Sequence, residues 1–405
     1  MNYQNGGKVI GAGGFGCVFY PALKCKENNN KFNGISKLSL KNKIYEEDKI
    51  NKIIRPIIKK IPNFSNYFLV NDIFTCNPKP LTKKDMKDLE KCIFLEKYDI
   101  NKDNINKNLF NFEIINIPFG GKELYYIIEN SNFFIKNFIY FNNHFFNLLK
   151  FAIIPMNNLG IIHNDIKSNN LLINLKDKNS GIKIIDFAMA TIVLPKLTMY
   201  SEVPFKIRTR GIQFNLPFST ILFDPIFKNI YKEFLKNLTS LPNDLILKEF
   251  VIYYINKFFL ESGHTKFILE FIFPIIFNNK ESKNNVENFN NSFGFNLITD
   301  YIVLILLNFT DFNRKYFNEK EYYFNVFRKN SDIWGFLTIY SDILITAQSK
   351  SKSKYKKNNL VNFIVKYLYT TNFAIKPIKQ DELLNDIKSL KINISLNTTR
   401  KLKKK

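Results

Sequence analysis

The sequence predicts an α+β fold, and three observations carry that expectation. The chain has 405 residues, enough for two or three lobes around large buried cores. Near its start, a run of glycines sits between segments that read as strands, with the β-formers Val18, Phe19 and Tyr20 on one side. Further on, apolar stretches such as "FVIYYINKFFL" (residues 250–260) read as amphipathic helix. The composition, 45% hydrophobic and 23% charged, is that of a globular protein rather than a disordered one. No repeat of 20–50 residues is present.

The first element is "GAGGFGCV", in which Gly11, Ala12, Gly13, Gly14, Phe15 and Gly16 precede Val18. A dinucleotide-binding turn would lead straight into a helix whose N-terminus holds pyrophosphate. Here Val18–Tyr20 favour a strand, and Pro21 would disturb a starting helix. A P-loop would close on G-K-[ST], which the chain lacks. What fits is a hairpin lying over a triphosphate, with Val18 touching the base.

"GISKL" then places Lys37 on a short strand, 21 residues after Gly16 (37 − 16). From there it would reach phosphates, provided that a carboxylate holds it. The following "KNKIYEEDKINKIIRPIIKK" reads as a helix with Ile44, Ile50, Ile54 and Ile57 on one face, disturbed at Pro56. Glu46 and Glu47 both lie at the edges of that face, and helical geometry alone does not choose between them.

Two more segments carry polar chemistry. In "IIHNDIKSNNLLI", His163, Asp165, Lys167 and Asn170 fall in a loop between an apolar helical stretch and a strand-like "LLI". In "IKIIDFAMA", a β-rich run ends at Asp186, 21 residues after Asp165 (186 − 165). A carboxylate at a strand end suits a divalent cation. Hard Mg²⁺ prefers oxygen ligands, which Asn170 and Asp186 would supply beside phosphate oxygens.

In this order the four pieces resemble the signature set of the eukaryotic-type protein kinases: glycine loop, strand lysine, H-R-D-x-x-x-x-N loop and D-F-G. "NIPFGGKEL" (residues 116–124) looks like the family's hinge, where Asn116, Ile117 and Pro118 would offer backbone groups to adenine. "NSDIWGFL" (residues 330–337) looks like the start of its buried helix, so Asp332 would bond the backbone around His163 and Trp334 would be core. The resemblance covers residues 1 to about 220 and about 328 to 345. A narrower resemblance is to serine/threonine kinases of giant nucleocytoplasmic DNA viruses. It rests on "FGCVFYPALKC", "ISKL", "PFGG", "IQFNLPFSTILF" and "DIWGFL", and on the Asn/Lys/Ile/Phe bias.

The resemblance implies a two-lobed protein-kinase fold. Residues 1–116 would form a small antiparallel-sheet lobe with one main helix and an added "CNPKPLTKKDMKDLEKC" excursion. Residues 117–377 would form a large, mainly helical lobe. Because 146 residues separate Asp186 from Asp332 (332 − 186), it would carry a helical insertion over about 219–328. Residues 378–405 would be a C-terminal helix and basic tail.

The implied activity is transfer of the γ-phosphate of Mg-ATP to serine or threonine hydroxyls of a protein substrate. The loop from Gly11 to Gly16 would cover the phosphates, with Val18 and Ile35 at the adenine. Lys37, paired with Glu47, would hold the α- and β-phosphates. Asp165 would orient the substrate hydroxyl and accept its proton, and Lys167 would neutralise the γ-phosphate. Asn170 and Asp186 would hold Mg²⁺. Lys167 two residues after Asp165 suits the serine/threonine class. The rival readings are a pseudokinase that binds nucleotide or a partner, and a basic nucleic-acid-binding protein on the same scaffold.

Three residues and one tripeptide depart from the family pattern. Asn164 stands where most members carry the Arg that pairs with an activation-segment phosphate, so dependence on that phosphate should be lost. The segment still offers Thr198, Tyr200, Ser201 and Thr209. Ala188 replaces Gly after Asp186–Phe187, Ile35 replaces a small alanine, and "NLP" (residues 215–217) replaces A-P-E.

The net charge of +24 invites nucleic acid or an acidic protein as a partner. Lysine is spread through the chain, however, with no aromatic–basic stacking motif, which argues against nucleic acid. The longest apolar stretch, "YIVLILLNF" (residues 301–309), is too short to span a bilayer, and the start lacks the pattern of a signal peptide. Cys17, Cys25, Cys76 and Cys92 form no C-x-x-C pair. Reduced thiols in a cytoplasm are expected (for a viral protein, the host cytoplasm or a virion) rather than disulfides or zinc.

Overall fold

The computed structural model describes residues 7–14, 16–27, 32–177, 181–193, 202–277, 292–350 and 359–391. The fold is mixed α and β, with a small antiparallel sheet near the N-terminus and helices through most of the rest. The chain divides into two units. The first is Met1–Lys122 with Leu172–Ala188; the second is Glu123–Leu171 with Met189–Lys405. The division therefore falls at Lys122 rather than at Asn116, and the segment carrying Asp186 belongs to the first unit.

The sheet of the first unit has five strands in the order β1-β2-β3-β5-β4, all antiparallel. They are β1 (Lys8–Gly13), β2 (Gly16–Tyr20), β3 (Gly34–Leu40), β4 (Phe74–Cys76) and β5 (Phe112–Pro118). The glycine run is the hairpin between β1 and β2, where Gly13 pairs with Gly16. Val18 pairs with Lys37, and Lys37 with Ile115. Directly opposed residues share a face, so Val18, Ile35, Lys37, Ile115 and Ile117 point to one side.

The opposite face carries Cys17, Phe19, Leu38 and Ile114, all fully buried. They are covered by Leu81, Leu89, Phe94 and Leu95 from the excursion between β4 and β5, which joins them in one core. Two disulfides secure this layer, Cys17–Cys92 and Cys25–Cys76, correcting the expectation of separate thiols. Sequence separations of 75 and 51 residues leave no local signature of either pair.

Helix α1 (Lys41–Ile58) follows β3 directly. Its buried stripe is Ile44, Glu47, Ile54 and Ile58. The expected face is thus rotated slightly: Ile50 and Ile57 are only half-buried, and Ile58 takes the inner position. Pro56 lies in the last turn, where a missing N–H disturbs one bond instead of a helix interior.

The second unit is built around α6 (Arg328–Lys350), preceded by α2 (Phe138–Leu148), α3 (Pro225–Asn237), α4 (Asp244–Phe258) and α5 (Phe293–Phe309). Ile333, Trp334, Phe336, Leu337, Ile339 and Tyr340 are buried around the whole circumference of α6, as befits a central helix. Trp334 is 1% exposed and lies edge-on to Phe218 and Tyr301. The expected insertion is part of this same body: Tyr301 lies edge-on to Trp334 of α6, and Phe273 lies edge-on to Tyr369. Helices α7 (Asn359–Tyr367) and α8 (Gln380–Ser389) follow. The C-terminal helix is not a separate appendage, since Asn142 of α2 donates to the Ile387 carbonyl at 2.7 Å.

Candidate active site

The expected residues fall into two groups, one in each unit. In the first unit, Lys37 Nζ meets Glu47 Oε2 at 2.7 Å and stands 3.9 Å from Asp186 Oδ1. Glu47 lies on the buried stripe of α1, which decides between the two glutamates. Glu46 points outward and pairs with Lys43 at 3.3 Å. Burial disfavours the Lys37 charge, yet Asp186 and Glu47 together outweigh it and hold its pKa above the usual lysine value. Burial, aided by the Asp186 charge, raises Glu47 against the pull of Lys37.

Asp186 follows the strand Lys183–Ile184 and adopts a left-handed backbone, φ 63°. Such a conformation is uncommon outside glycine and gathers at functional sites. The next turn, Phe187–Met189, contains no left-handed residue, so Ala188 sits there without strain. Phe187 is buried 6.4 Å, centroid to centroid, from Phe68.

The glycines divide by what surrounds them. A Cβ on Gly16 would meet the Leu38 carbonyl oxygen at 2.6 Å, so packing requires glycine there. A Cβ on Gly13 or Gly14 would meet nothing within 4 Å, so packing gives no reason for either. Ala12 pairs with Cys17, and Gly11 pairs with Val18. Phe15 lies outside the described residues.

Asn116 is not where an adenine edge could use it. It is fully buried in the interior of β5, paired with Ser36 on one side and Phe74 on the other. Its side chain accepts from Ser36 Oγ at 2.5 Å and donates toward the sulfurs of Cys25 and Cys76. Ile117 and Pro118 extend β5 beyond the end of its β4 pairing and remain half-buried.

In the second unit, the polar loop leaves the strand β6 (Ile161–Ile162), which pairs with β7 (Thr191–Ile192). The carboxylate of Asp332, 1% exposed on α6, accepts from the backbone N–H groups of His163 and Asn164, each at 2.8 Å. It also accepts from Asn157 Nδ2 at 2.7 Å. Burial raises the Asp332 pKa despite these donors. Asn164 is left-handed, φ 59°, and its side chain is fully used. Its Nδ2 donates to Ile162 O, Met189 O and Thr191 Oγ1 at 3.0–3.3 Å, and its Oδ1 accepts from Ser331 Oγ at 3.1 Å.

Asp165 is the centre of this group. Lys167 Nζ and Asn170 Nδ2 both donate to its Oδ2 at 2.9 Å. Asn215 Nδ2 donates to Oδ1 at 2.9 Å, and Arg210 Nη2 lies 3.5 Å from the same oxygen. Burial would raise this carboxyl, but Lys167, Asn215 and Arg210 outweigh it and hold its pKa below the usual aspartate value. Arg210 and Asn215 were not among the expected contacts of Asp165. The missing cation at Asn164 makes Arg208 and Arg210 the candidates to replace it; Arg210 lies beside Asp165, while Arg208 pairs with Glu202.

Among the described residues, no group of three or more His, Cys, Asp or Glu side chains is arranged to hold a metal. The expected cation ligands lie one in each unit, Asp186 in the first and Asn170 in the second. Asp186 is a half-exposed carboxylate, and Asn170 commits its Nδ2 to Asp165. Mg²⁺ commonly takes one or two protein ligands of this kind beside phosphates and water. No family model and no curated protein matches this chain.

Proposed function

We propose that this protein is an ATP-dependent serine/threonine protein kinase with a kinase-type two-lobed fold. The observation that carries the proposal is the cluster of Lys37, Glu47 and Asp186, brought together from β3, α1 and the strand end at Ile184. A half-buried lysine held by one carboxylate, with a second carboxylate beside it, is what holding a metal-bound triphosphate requires. Gly13 and Gly14, which packing leaves unexplained, give a phosphate chain room to approach the hairpin backbone.

Within that reading each residue has a task. Lys37, kept charged by its neighbours, binds the α- and β-phosphates, and Glu47 prevents it from swinging away. Val18 and Ile35, on the Lys37 face of the sheet, cover the base. Mg²⁺, when bound, neutralises phosphate charge, and Asp186 and Asn170 are the residues that would hold it. Asp165, ionised through its donors, orients the substrate hydroxyl and accepts its proton, while Lys167 turns to the γ-phosphate. The protein's contribution is positioning and charge, which is most of what phosphoryl transfer asks.

The test combines binding and turnover. Millimolar Mg-ATP should raise the melting temperature of the wild type, and label should pass from [γ-³²P]ATP to a protein substrate. Asp165→Asn should keep the thermal shift and lose transfer by about 10²–10⁴-fold. Gly13→Ala should weaken the shift without lowering the melting temperature of the free protein, whereas Gly16→Ala should lower both. No nucleotide-dependent shift would sink the reading. Binding without any transfer would leave a pseudokinase.

A further inference from the structure

We propose that Arg210 is a positioning residue for Asp165, a permanent cationic clamp that takes the place of a phosphate-dependent one. The inference rests on the kinase reading for its consequence, but its geometry stands apart from that reading. Arg210 is 8% exposed. Its guanidinium donates to the Asn164 carbonyl oxygen and to Gln213 Oε1, and it faces Asp165 Oδ1 at 3.5 Å. Burying a guanidinium is costly unless a carboxylate pays it back, and Asp165 is its carboxylate partner.

The clamp is also braced from behind. A Cβ on Gly211 would meet the Phe259 ring at 2.8 Å, so the chain beside Arg210 lies flush against that ring. Phe214 meets Phe267 edge-on at 5.5 Å, and its carbonyl accepts from Trp334 Nε1 at 3.2 Å. Phe259 and Phe267 both belong to the helical insertion. That segment therefore holds residues 210–215 in place by packing.

The donors divide the two oxygens of Asp165 into different roles. Arg210 and Asn215 hold Oδ1, and neither has another task in the proposed reaction. Lys167 and Asn170 hold Oδ2. When Lys167 turns to a γ-phosphate, Oδ2 keeps only the Asn170 donor, and the position that Lys167 leaves is where it accepts the substrate proton. Oδ1 remains clamped and keeps the carboxylate from rotating. Asn164, a neutral residue bonded on every side, leaves no unpaired charge that a phosphate would have to satisfy.

The experiment compares Arg210→Met and Arg210→Lys with the wild type. Arg210→Met should lower kcat about 10–100-fold, the loss expected when a reacting group is slightly misplaced, with an unchanged KM for ATP and an unchanged Mg-ATP thermal shift. Arg210→Lys should recover part of the loss, since a point charge replaces the fork. Wild-type kcat in a folded Arg210→Met protein would overturn the proposal. If Arg210→Met does not fold, Arg210→Lys is read instead, and wild-type kcat in it overturns the proposal equally. Phosphatase-treated wild type, freed of the enzyme, should keep most of its rate; a large loss regained after an autophosphorylation lag would refute the clamp's independence. Hydrogen exchange separates the two readings. If the wild type transfers no phosphate, the kinase reading fails, and the clamp is judged by whether Arg210→Met speeds exchange at residues 164–165 and 211–216. Unchanged exchange there refutes it.

Discussion

Replacing Asp332 with asparagine changes one oxygen to an NH₂ group at almost constant volume, which isolates the polar contribution of this side chain. The carboxylate accepts from three donors: the N–H groups of His163 and Asn164 and the Nδ2 of Asn157. Asparagine keeps one oxygen and turns a donor toward another donor. At least one bond to a charged acceptor is lost, about 1.5–3 kcal/mol, and one buried N–H is stranded at about 1–3 kcal/mol. Burial already raises the Asp332 pKa, so removing the charge returns part of that cost and leaves a net loss of about 2–4 kcal/mol. Asp332→Ala strands all three donors and opens space, so it should be worse. Denaturant unfolding followed by the fluorescence of Trp334, the only tryptophan and a residue of the same helix, reads the loss directly. An Asn variant within about 1 kcal/mol of wild type, or one no better than Ala, would refute the reasoning.

Two further predictions concern stability away from this site. The disulfides span 75 and 51 residues, and a chain-entropy estimate gives about 4 kcal/mol for either alone, less than the sum for both because one loop lies inside the other. Alkylation of the denatured, unreduced chain should find no free thiol, and four alkylated cysteines would refute the pairing. On α8, Asp386 accepts from Lys366 Nζ at 2.6 Å and Tyr367 Oη at 2.7 Å; burial pulls its pKa up, but these partners hold it below the usual value. A depressed carboxylate stabilises above its unfolded pKa and loses that contribution as pH falls through its folded value. Asp386→Asn should therefore melt slightly below wild type at pH 7, with the gap closing as pH falls from about 4; a gap that persists at pH 2 would refute the assignment.

What could be read from the sequence was local. The glycine hairpin, Lys37 on its strand and the helix after it are visible because β-formers, glycines and a 3.6-residue period act over a few residues. Choosing Glu47 over Glu46 needed the rotation of α1, which packing sets: with Ile58 rather than Ile57 inside, Glu47 joins the buried stripe. Asn116, expected with Ile117 and Pro118 as a hinge residue, lies within the sheet, since strand pairing continues to Pro118 and alternation sends its side chain away from Ile117. The disulfides and the bond from Asn215 to Asp165 were hidden for a different reason. Each depends on residues many positions apart, and no short-range pattern marks them.

The departures from the kinase pattern make sense when taken together. The left-handed backbone at this point falls on Asp186, so Ala188 need not supply it. The sequence NLP (residues 215–217), compared with A-P-E, carries no acid, and its first residue, Asn215, donates to Asp165. Asn164 gives up a charge and ties β6 to β7 through Thr191, while Arg210 brings a charge back from the other side. If these were independent losses, each would leave a stranded partner or an empty space. In the proposed kinase reading, Arg210 supplies the cation that Asn164 lacks, and the rings of Phe259 and Phe267 back the segment that carries it. Arg210 should therefore tolerate substitution less well than Thr209 beside it, an ordering that a decaying pseudokinase would have no reason to keep.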